Sequence, residues 1–168
     1  MKHLYACLAI AALAASTTAH AAPQSLTAQV GDIAFEAGDD DIMLVPLDDS
    51  FALSASTKGS AQWPPPKTRV DRLAISCDHF QAGQTLLLDD KAFARSTCDV
   101  SFEVGHKGMG KDPDATWKLD KGASGNRFEI TRAQGKQYEG RFTFHLKDAG
   151  GKAIEVRDGR FVIEDRQL

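Results

Sequence analysis

Apolar residues in this chain alternate with polar ones at a period of two. Val100, Phe102 and Val104 each sit between polar neighbours, and Phe142, Phe144 and Leu146 do the same. Because successive side chains of an extended chain point to opposite faces, this period predicts β-strands with one buried face. Shorter stretches with the same period occur at 51–53, 73–77 and 128–130.

Glycine, proline and aspartate interrupt these runs at short intervals. Such breakers lie at 38–39, 58–59, 63–67, 108–113, 122–125, 150–151 and 158–159. About eight short antiparallel strands at this spacing predict a β-sandwich or a small barrel. A parallel α/β sheet is excluded because crossover helices are missing. The one weak helical segment is 90–97, with Asp90 as its possible N-cap.

The C-terminal strands allow a register to be predicted. If residues 149–151 form a three-residue hairpin loop, Leu146 lies opposite Ile154 and Phe144 opposite Val156, all on the buried face. The outer face then pairs His145 with Glu155. The apolar parity shifts again across Asp158-Gly159, which either a two-residue turn or a one-residue bulge would explain. The sequence does not decide between turn and bulge.

Residues 1–21 have the pattern of a cleaved signal peptide. Lys2 and His3 form a basic start, residues 4–15 are apolar, and Ala19-His20-Ala21 fits the cleavage pattern. An apolar run of about a dozen residues is too short to span a membrane. We therefore expect one exported β-domain, residues 22–168, that is periplasmic or secreted and has no membrane span.

Two cysteines, Cys77 and Cys98, follow the leader. An oxidising compartment favours a disulfide between them, and closing a loop of this length stabilises a fold by about 3 kcal/mol in the chain-entropy model. A metal or catalytic thiol is the alternative, since His79 lies two residues from Cys77. Two cysteines and one histidine do not supply the four ligands of structural zinc, so we favour the disulfide and predict no metal site.

Charge is unevenly distributed along the chain. Residues 22–57, the acidic segment, contain seven aspartates and glutamates and no lysine or arginine, whereas residues 58–168 carry 19 basic and 16 acidic residues. This pattern indicates an acidic edge against a mildly basic body. A nucleic-acid partner is not expected, because no basic cluster is interleaved with aromatic residues.

The C-terminal residues 138–163 also show a resemblance. Tyr138-Glu139-Gly140-Arg141-Phe142-Thr143-Phe144, followed by 154–156 and Asp158-Gly159-Arg160-Phe161, resembles the closing strands of exported bacterial β-sandwich proteins and lipoproteins of unknown function. The resemblance implies this fold and a bacterial periplasmic setting. It implies no activity.

The polar motifs give little support for catalysis. His79, His106 and His145 lie on separate predicted elements, and the glycine-rich loop 106–111 lacks the ending of a phosphate-binding loop. The aspartates at 39–41 and 112–114 do not fit a calcium loop and are interpreted as solvated turn residues. No serine lies in a nucleophile elbow. We assign no catalytic residue and no cofactor.

The tryptophans are the remaining candidates for a binding site. Trp63 precedes three prolines, Pro64 to Pro66, which should form a stiff polyproline II stretch, and Trp117 follows another loop. A pre-ordered tryptophan suits glycan stacking or a protein hot spot. In the alternative interpretation each tryptophan plugs one end of the fold. The candidate binding residues are therefore Trp63, Trp117 and His106.

These observations favour a non-enzymatic binding or interaction module for an envelope protein or a glycan. Two alternatives remain. One is a small envelope enzyme, hydrolase-like or metal-dependent, which would show convergent polar groups with perturbed pKa values. The other is a barrel that binds a small apolar ligand in a cavity lined by Phe128, Phe142, Phe144 and Phe161. An exposed aromatic residue would favour the module.

Overall fold

The computed structural model describes residues 23–64, 67–108 and 110–166. The predicted leader, residues 1–21, and two of the prolines after Trp63 lie outside these residues. The elements, in chain order, are β1 (Ser25–Val30), β2 (Ile33–Gly38), a 3-10 helix (Asp39–Asp41), β3 (Ile42–Leu47), β4 (Ser50–Ser56), β5 (Arg72–Asp78), β6 (Leu86–Leu88), α1 (Asp90–Arg95), β7 (Asp99–Val104), β8 (Ala115–Leu119), β9 (Arg127–Gln134), β10 (Gln137–Lys147) and β11 (Ala153–Glu164).

All of these strands belong to one sheet. Its hydrogen-bonded order is β2-β1-β11-β10-β8-β7-β5-β4-β3, with β9 added to β10 and β6 added to β9, and every strand pair is antiparallel. A bridge between Leu44 of β3 and Asp165, just after β11, brings the last strand of this order back to β11. The all-β, antiparallel prediction is confirmed. Of the two architectures that the sequence left open, the sheet resembles a nearly closed barrel.

The predicted alternation of strands is also confirmed. Burial alternates along β4, β5, β7, β9 and β10, and the apolar residues with a period of two lie on the buried face. Aromatic rings fill much of the interior: Phe128 stacks on Phe161, and Phe142 lies between Phe144 and Phe161. Phenylalanine rings from β9, β10 and β11 therefore contact one another in the interior of the sheet.

The register predicted for the last hairpin is correct. Leu146 pairs with Ile154, Phe144 with Val156, and His145 with Glu155. The backbone amide of Asp148 donates to the carbonyl of Lys152, which encloses a three-residue loop. Leu146, Phe144 and Val156 are buried and Ile154 is half-buried.

The parity shift at Asp158-Gly159 is a bulge. β11 continues through it, and between the pairs Phe144 with Val156 and Phe142 with Gly159 it contains one more residue than β10. Asp158 has a positive φ of 56°, a left-handed conformation that aspartate tolerates better than most residues. The bulge returns Gly159 and Phe161 to the buried face.

The predicted disulfide joins Cys77 to Cys98. Cys77 lies near the end of β5 and Cys98 directly before β7, two strands that already pair through Ser76 and Asp99. β6 and α1 form the excursion between the two cysteines. The bridge thus fastens the base of this excursion to the sheet.

The helix prediction is corrected in two details. α1 ends at Arg95 instead of Thr97, and its N-cap is Asp89, whereas Asp90 is its first residue. The Asp89 carboxylate accepts hydrogen bonds from the backbone amides of Lys91 and Ala92. Two adjacent aspartates satisfy the same capping pattern, so the sequence alone cannot distinguish them.

Candidate functional site

Trp63 lies in the connection between β4 and β5, residues 57–71, and its side chain is 91% exposed. The other exposed large apolar side chains of the described residues are Met43, Leu47 and Leu87, at 58%, 53% and 50%. Trp63 therefore does not plug an end of the fold. An indole that is almost fully exposed is available to contact a partner, as a binding module requires.

Hydrogen bonds close the base of this connection. The amide of Thr57 donates to the carbonyl of Asp71 at 2.9 Å, and the amide of Asp71 donates back to the Thr57 hydroxyl at 2.8 Å. The Asp71 carboxylate is almost fully buried and accepts from the amide of Gly105 at 3.0 Å and from the guanidinium of Arg69 at 2.8 Å. Both ends of the connection are thus fixed to the body.

A second carboxylate, Asp41, holds the segment immediately before Trp63. One of its oxygens accepts from the amide of Gly59 at 2.6 Å. The other accepts from the amide of Ala61 at 2.7 Å and from the hydroxyl of Ser60 at 2.8 Å. Three donors from three consecutive residues converge on one side chain of the 3-10 helix, so the backbone that leads to Trp63 has a defined path.

The acidic segment makes ion pairs with basic residues from outside it. Lys58 contacts Glu36, and Arg166 contacts Asp39. The hydrogen bond from Arg166 is the main reason that the pKa of Asp39 lies below its ordinary value. The 3-10 turn that contains Asp39 and Asp41 has no buried residue, as expected for solvated turn aspartates, but both carboxylates also have specific protein partners. The local sequence gives no information on which donors contact these carboxylates in the folded chain.

Trp117 has a different environment. It lies in β8 opposite Phe102 of β7, is half-buried, and packs against the apolar core. Its indole Nε1 is buried and has no hydrogen-bond partner among the described residues. The plugging interpretation fits Trp117 better than a binding surface does.

His106 lies where β7 leaves the sheet. Its amide donates to the carbonyl of Val70 at 2.6 Å, and its ring Nδ1 is 2.6 Å from a carboxylate oxygen of Glu103. His106 thus connects the β7–β8 loop to the end of the connection that carries Trp63. Within the described part of the chain, no hydrogen bond, ion pair or ring contact joins Trp63, Trp117 and His106.

The residues proposed for an internal ligand cavity are packed against one another. Ring centroids are 5.4 Å apart for Phe128 and Phe161 and for Phe142 and Phe144. All four rings are buried, and they occupy the interior space that a ligand among them would need. The described residues contain no group of three or more histidine, cysteine or acidic side chains placed to hold a metal ion.

Sequence reasoning missed Asp41 and Asp71 as the residues that organise the Trp63 connection. Asp71 lies next to the apolar run 73–77, which is a weak sign that it is buried. For Asp41 no local signal exists, because its three partners are 18 to 20 residues away.

The comparisons with known proteins identify no relative: no protein-family model, curated protein or solved structure matches the chain. Among the described residues, no helix is both long enough and apolar enough to cross a membrane.

Proposed function

We propose that this protein is a non-enzymatic binding module of the bacterial periplasm or the cell exterior, and that it captures an envelope protein or a glycan through Trp63. The observation that carries the proposal is the 91% exposure of this indole on a connection with a braced backbone. The signal-peptide pattern of residues 1–21 supports export, and the Cys77–Cys98 bridge is compatible with an oxidising compartment.

An exposed tryptophan is unfavourable for a free protein and favourable for a bound one. Its ring offers a large apolar area with few rotatable bonds, which is why tryptophan is enriched in binding hot spots and stacks on sugar faces. The hydrogen bonds to Asp41 and Asp71 reduce the backbone freedom that the connection would otherwise lose on binding. Affinity is gained by this pre-organisation.

The enzyme alternative has less support. At Asp78 burial acts to raise the pKa, but hydrogen bonds from Thr97 outweigh it and the pKa lies below its ordinary value. Lowered pKa values also occur at Asp39, Asp120 and Glu129, and in each of these the main cause is a hydrogen bond from an arginine or lysine side chain. These three carboxyls belong to separate ion pairs at the surface instead of converging on one cleft. A proton donor or nucleophile would need the opposite arrangement.

The test compares Trp63→Ala with Leu87→Ala, a matched loss of an exposed apolar side chain elsewhere on the surface. The purified proteins are immobilised and exposed to envelope extract and to a panel of soluble glycans. The wild type and Leu87→Ala should retain the same species, whereas Trp63→Ala should bind it with an affinity weakened by about 2 kcal/mol or more. The melting temperature should be nearly the same in all three proteins.

Two results would contradict the proposal. One is equal retention by Trp63→Ala and the wild type. The other is a loss of stability of about 3 kcal/mol or more in Trp63→Ala, which is typical of a core residue.

A third variant, Asp41→Ala, tests pre-organisation with the indole still present. Amide exchange at Gly59 and Ala61 should accelerate, and affinity for the retained species should fall by about 0.5–1.5 kcal/mol because a looser segment must be ordered on binding.

A further inference from the structure

A row of side chains on the outer face of the sheet crosses four strands. Glu129 of β9 lies opposite Arg141 of β10, Arg141 lies opposite Arg160 of β11, and Arg160 lies opposite Thr27 of β1. Side chains of directly opposed residues are neighbours on the same face. The row therefore places two arginines next to each other.

One carboxylate in this row serves two guanidinium groups. The same oxygen of Glu129 accepts hydrogen bonds from Arg141 at 2.8 Å and from Arg127 at 2.8 Å and 3.1 Å. These bonds, with that from Arg141 the largest cause, hold the pKa of the Glu129 carboxyl below its ordinary value. Glu129 compensates one positive charge of the pair, and the second remains.

Arg160 has no such compensation. Among the described residues, no carboxylate lies within 4 Å of its guanidinium, and the nearby Asp158 is paired with Arg157 at 3.9 Å. Around this row, arginines 127, 132, 141, 157 and 160 share three carboxylates, those of Glu129, Glu139 and Asp158, so positive charge is in excess. Like charges directly opposite each other in a sheet are destabilising.

The bulge in β11 forms a shallow depression beside these arginines. Its volume is about 190 Å³, and its lining includes arginines 127, 141 and 160, Thr143 and one acidic residue, Asp158. A second depression, of about 450 Å³, is lined by Arg141, Arg160, Thr131 and Glu139, and Glu139 is paired with Arg132. A ligand in either depression can therefore contact the guanidinium groups of Arg141 and Arg160.

From this geometry we propose that Arg141 and Arg160 bind a phosphate group, carried by a small molecule or by a lipid headgroup. A guanidinium presents a planar fork of N–H donors that matches the oxygens of phosphate in pairs. A phosphate between the two arginines neutralises the charge that Glu129 leaves over. Thr143 lines the first depression, where its hydroxyl is in place to donate a further hydrogen bond. The Thr131 hydroxyl already donates to the carbonyl of Glu139 at 3.1 Å. The site is independent of Trp63.

The probe is inorganic phosphate, titrated at neutral pH with the ionic strength held constant by sodium chloride. Binding is followed by the NMR signals of the arginine Nε–H groups and by the melting temperature. In the wild type the Arg141 and Arg160 signals should shift together and saturate, and the melting temperature should rise with phosphate concentration by mass action. Chloride alone should produce neither change.

Arg160→Gln is the test variant and Arg132→Gln is its control. Arg132 is on the same outer face and loses the same charge, but it is paired with Glu139 at 3.1 Å. Arg160→Gln should weaken phosphate binding about tenfold or more, as expected for losing hydrogen bonds to a charged group. Arg132→Gln should bind as the wild type does.

A structural role for Arg160 predicts a different result. If Arg160 only stabilised the sheet, Arg160→Gln would melt at a lower temperature in chloride buffer. Because the substitution removes a repulsion, we expect an unchanged or slightly higher melting temperature. A lower melting temperature in chloride, or equal phosphate binding by Arg160→Gln and the wild type, overturns the proposal. So does a wild type that does not respond to phosphate.

Two further probes distinguish the sources of the phosphate. Competition by glucose 6-phosphate for the Arg160 signal indicates a soluble phosphorylated ligand. Sedimentation with phosphatidylglycerol vesicles, lost in Arg160→Gln and kept in Arg132→Gln, indicates a lipid headgroup.

Discussion

Several carboxylates of this protein fix backbone segments by accepting hydrogen bonds from amide groups. Asp41 holds residues 59–61, Asp71 holds Gly105, Asp89 caps α1, and Asp148 accepts from the amides within the last hairpin loop. A short ionised side chain suits this role, since both oxygens accept and the chain loses little rotamer freedom. These residues explain how a protein with so little helix keeps its connections in defined positions.

Glu129→Gln should lower stability at neutral pH and have no effect in acid. Because the folded-state pKa of Glu129 is below the ordinary value of 4.5, its contribution is present above about pH 4.5 and is lost as the pH falls through the folded-state value. At pH 7 we expect the melting temperature to be lower by roughly 2–4 °C.

Thermal melts of both proteins from pH 7 to pH 2.5 provide the measurement. The difference between them should shrink toward zero at the acidic end, where the wild-type carboxyl is also neutral. A difference that stays constant over this range would show that packing, not charge, distinguishes the two proteins.

At the scale of the strand, each of two phenylalanines on β10 and β11 lies opposite a glycine on the other strand. Phe142 lies opposite Gly159, and Gly140 lies opposite Phe161. A Cβ at Gly159 would lie 2.4 Å from the ring and 2.5 Å from the carbonyl oxygen of Phe142. Each phenylalanine ring thus packs over a glycine, which has no side chain. Four inward-facing residues of the two long strands therefore fit into a narrow space.

Gly159→Ala should therefore destabilise the fold by about 1–3 kcal/mol or more, because neither the ring nor the β10 backbone can move freely. Gly150→Ala is the control: a Cβ there meets only a side-chain oxygen of Asp148 at 3.3 Å, and the expected change is within about 0.5 kcal/mol. Urea unfolding measures both. Equal midpoints for the two variants would show that β10 and β11 can separate to admit a methyl group.

At the scale of the whole molecule, one continuous sheet curls around the aromatic core, and a single disulfide closes the excursion between β5 and β7. The bridge connects strands that are already hydrogen-bonded. Its contribution is therefore expected to come mainly from restricting the unfolded chain over a separation of 21 residues, and we expect the fold to persist without it.

Replacing both cysteines by alanine should cost about 2–4 kcal/mol in urea unfolding while one cooperative transition remains. Peptide mass spectrometry of the unreduced wild type should find residues 77 and 98 joined. Free thiols at both positions, or a double variant that fails to fold, would contradict this account.

Local pattern in the sequence determined the strand positions, the hairpin register and the disulfide. Each depends on short-range periodicity, on a loop of three residues, or on the presence of only two cysteines after residue 21. The N-cap of α1 was not determined in this way. Asp89 and Asp90 both satisfy the capping rule, and only the folded path of the chain selects Asp89.

Tertiary structure alone decided the remainder. The turn or bulge at Asp158-Gly159, the closure of the sheet into a barrel-like form, and the exposure of Trp63 against the half-burial of Trp117 all depend on contacts between distant segments. The charge row of Glu129, Arg141 and Arg160 does too: its alignment across β9, β10 and β11 requires the bulge to be placed first, since a shift of one residue moves every side chain to the other face.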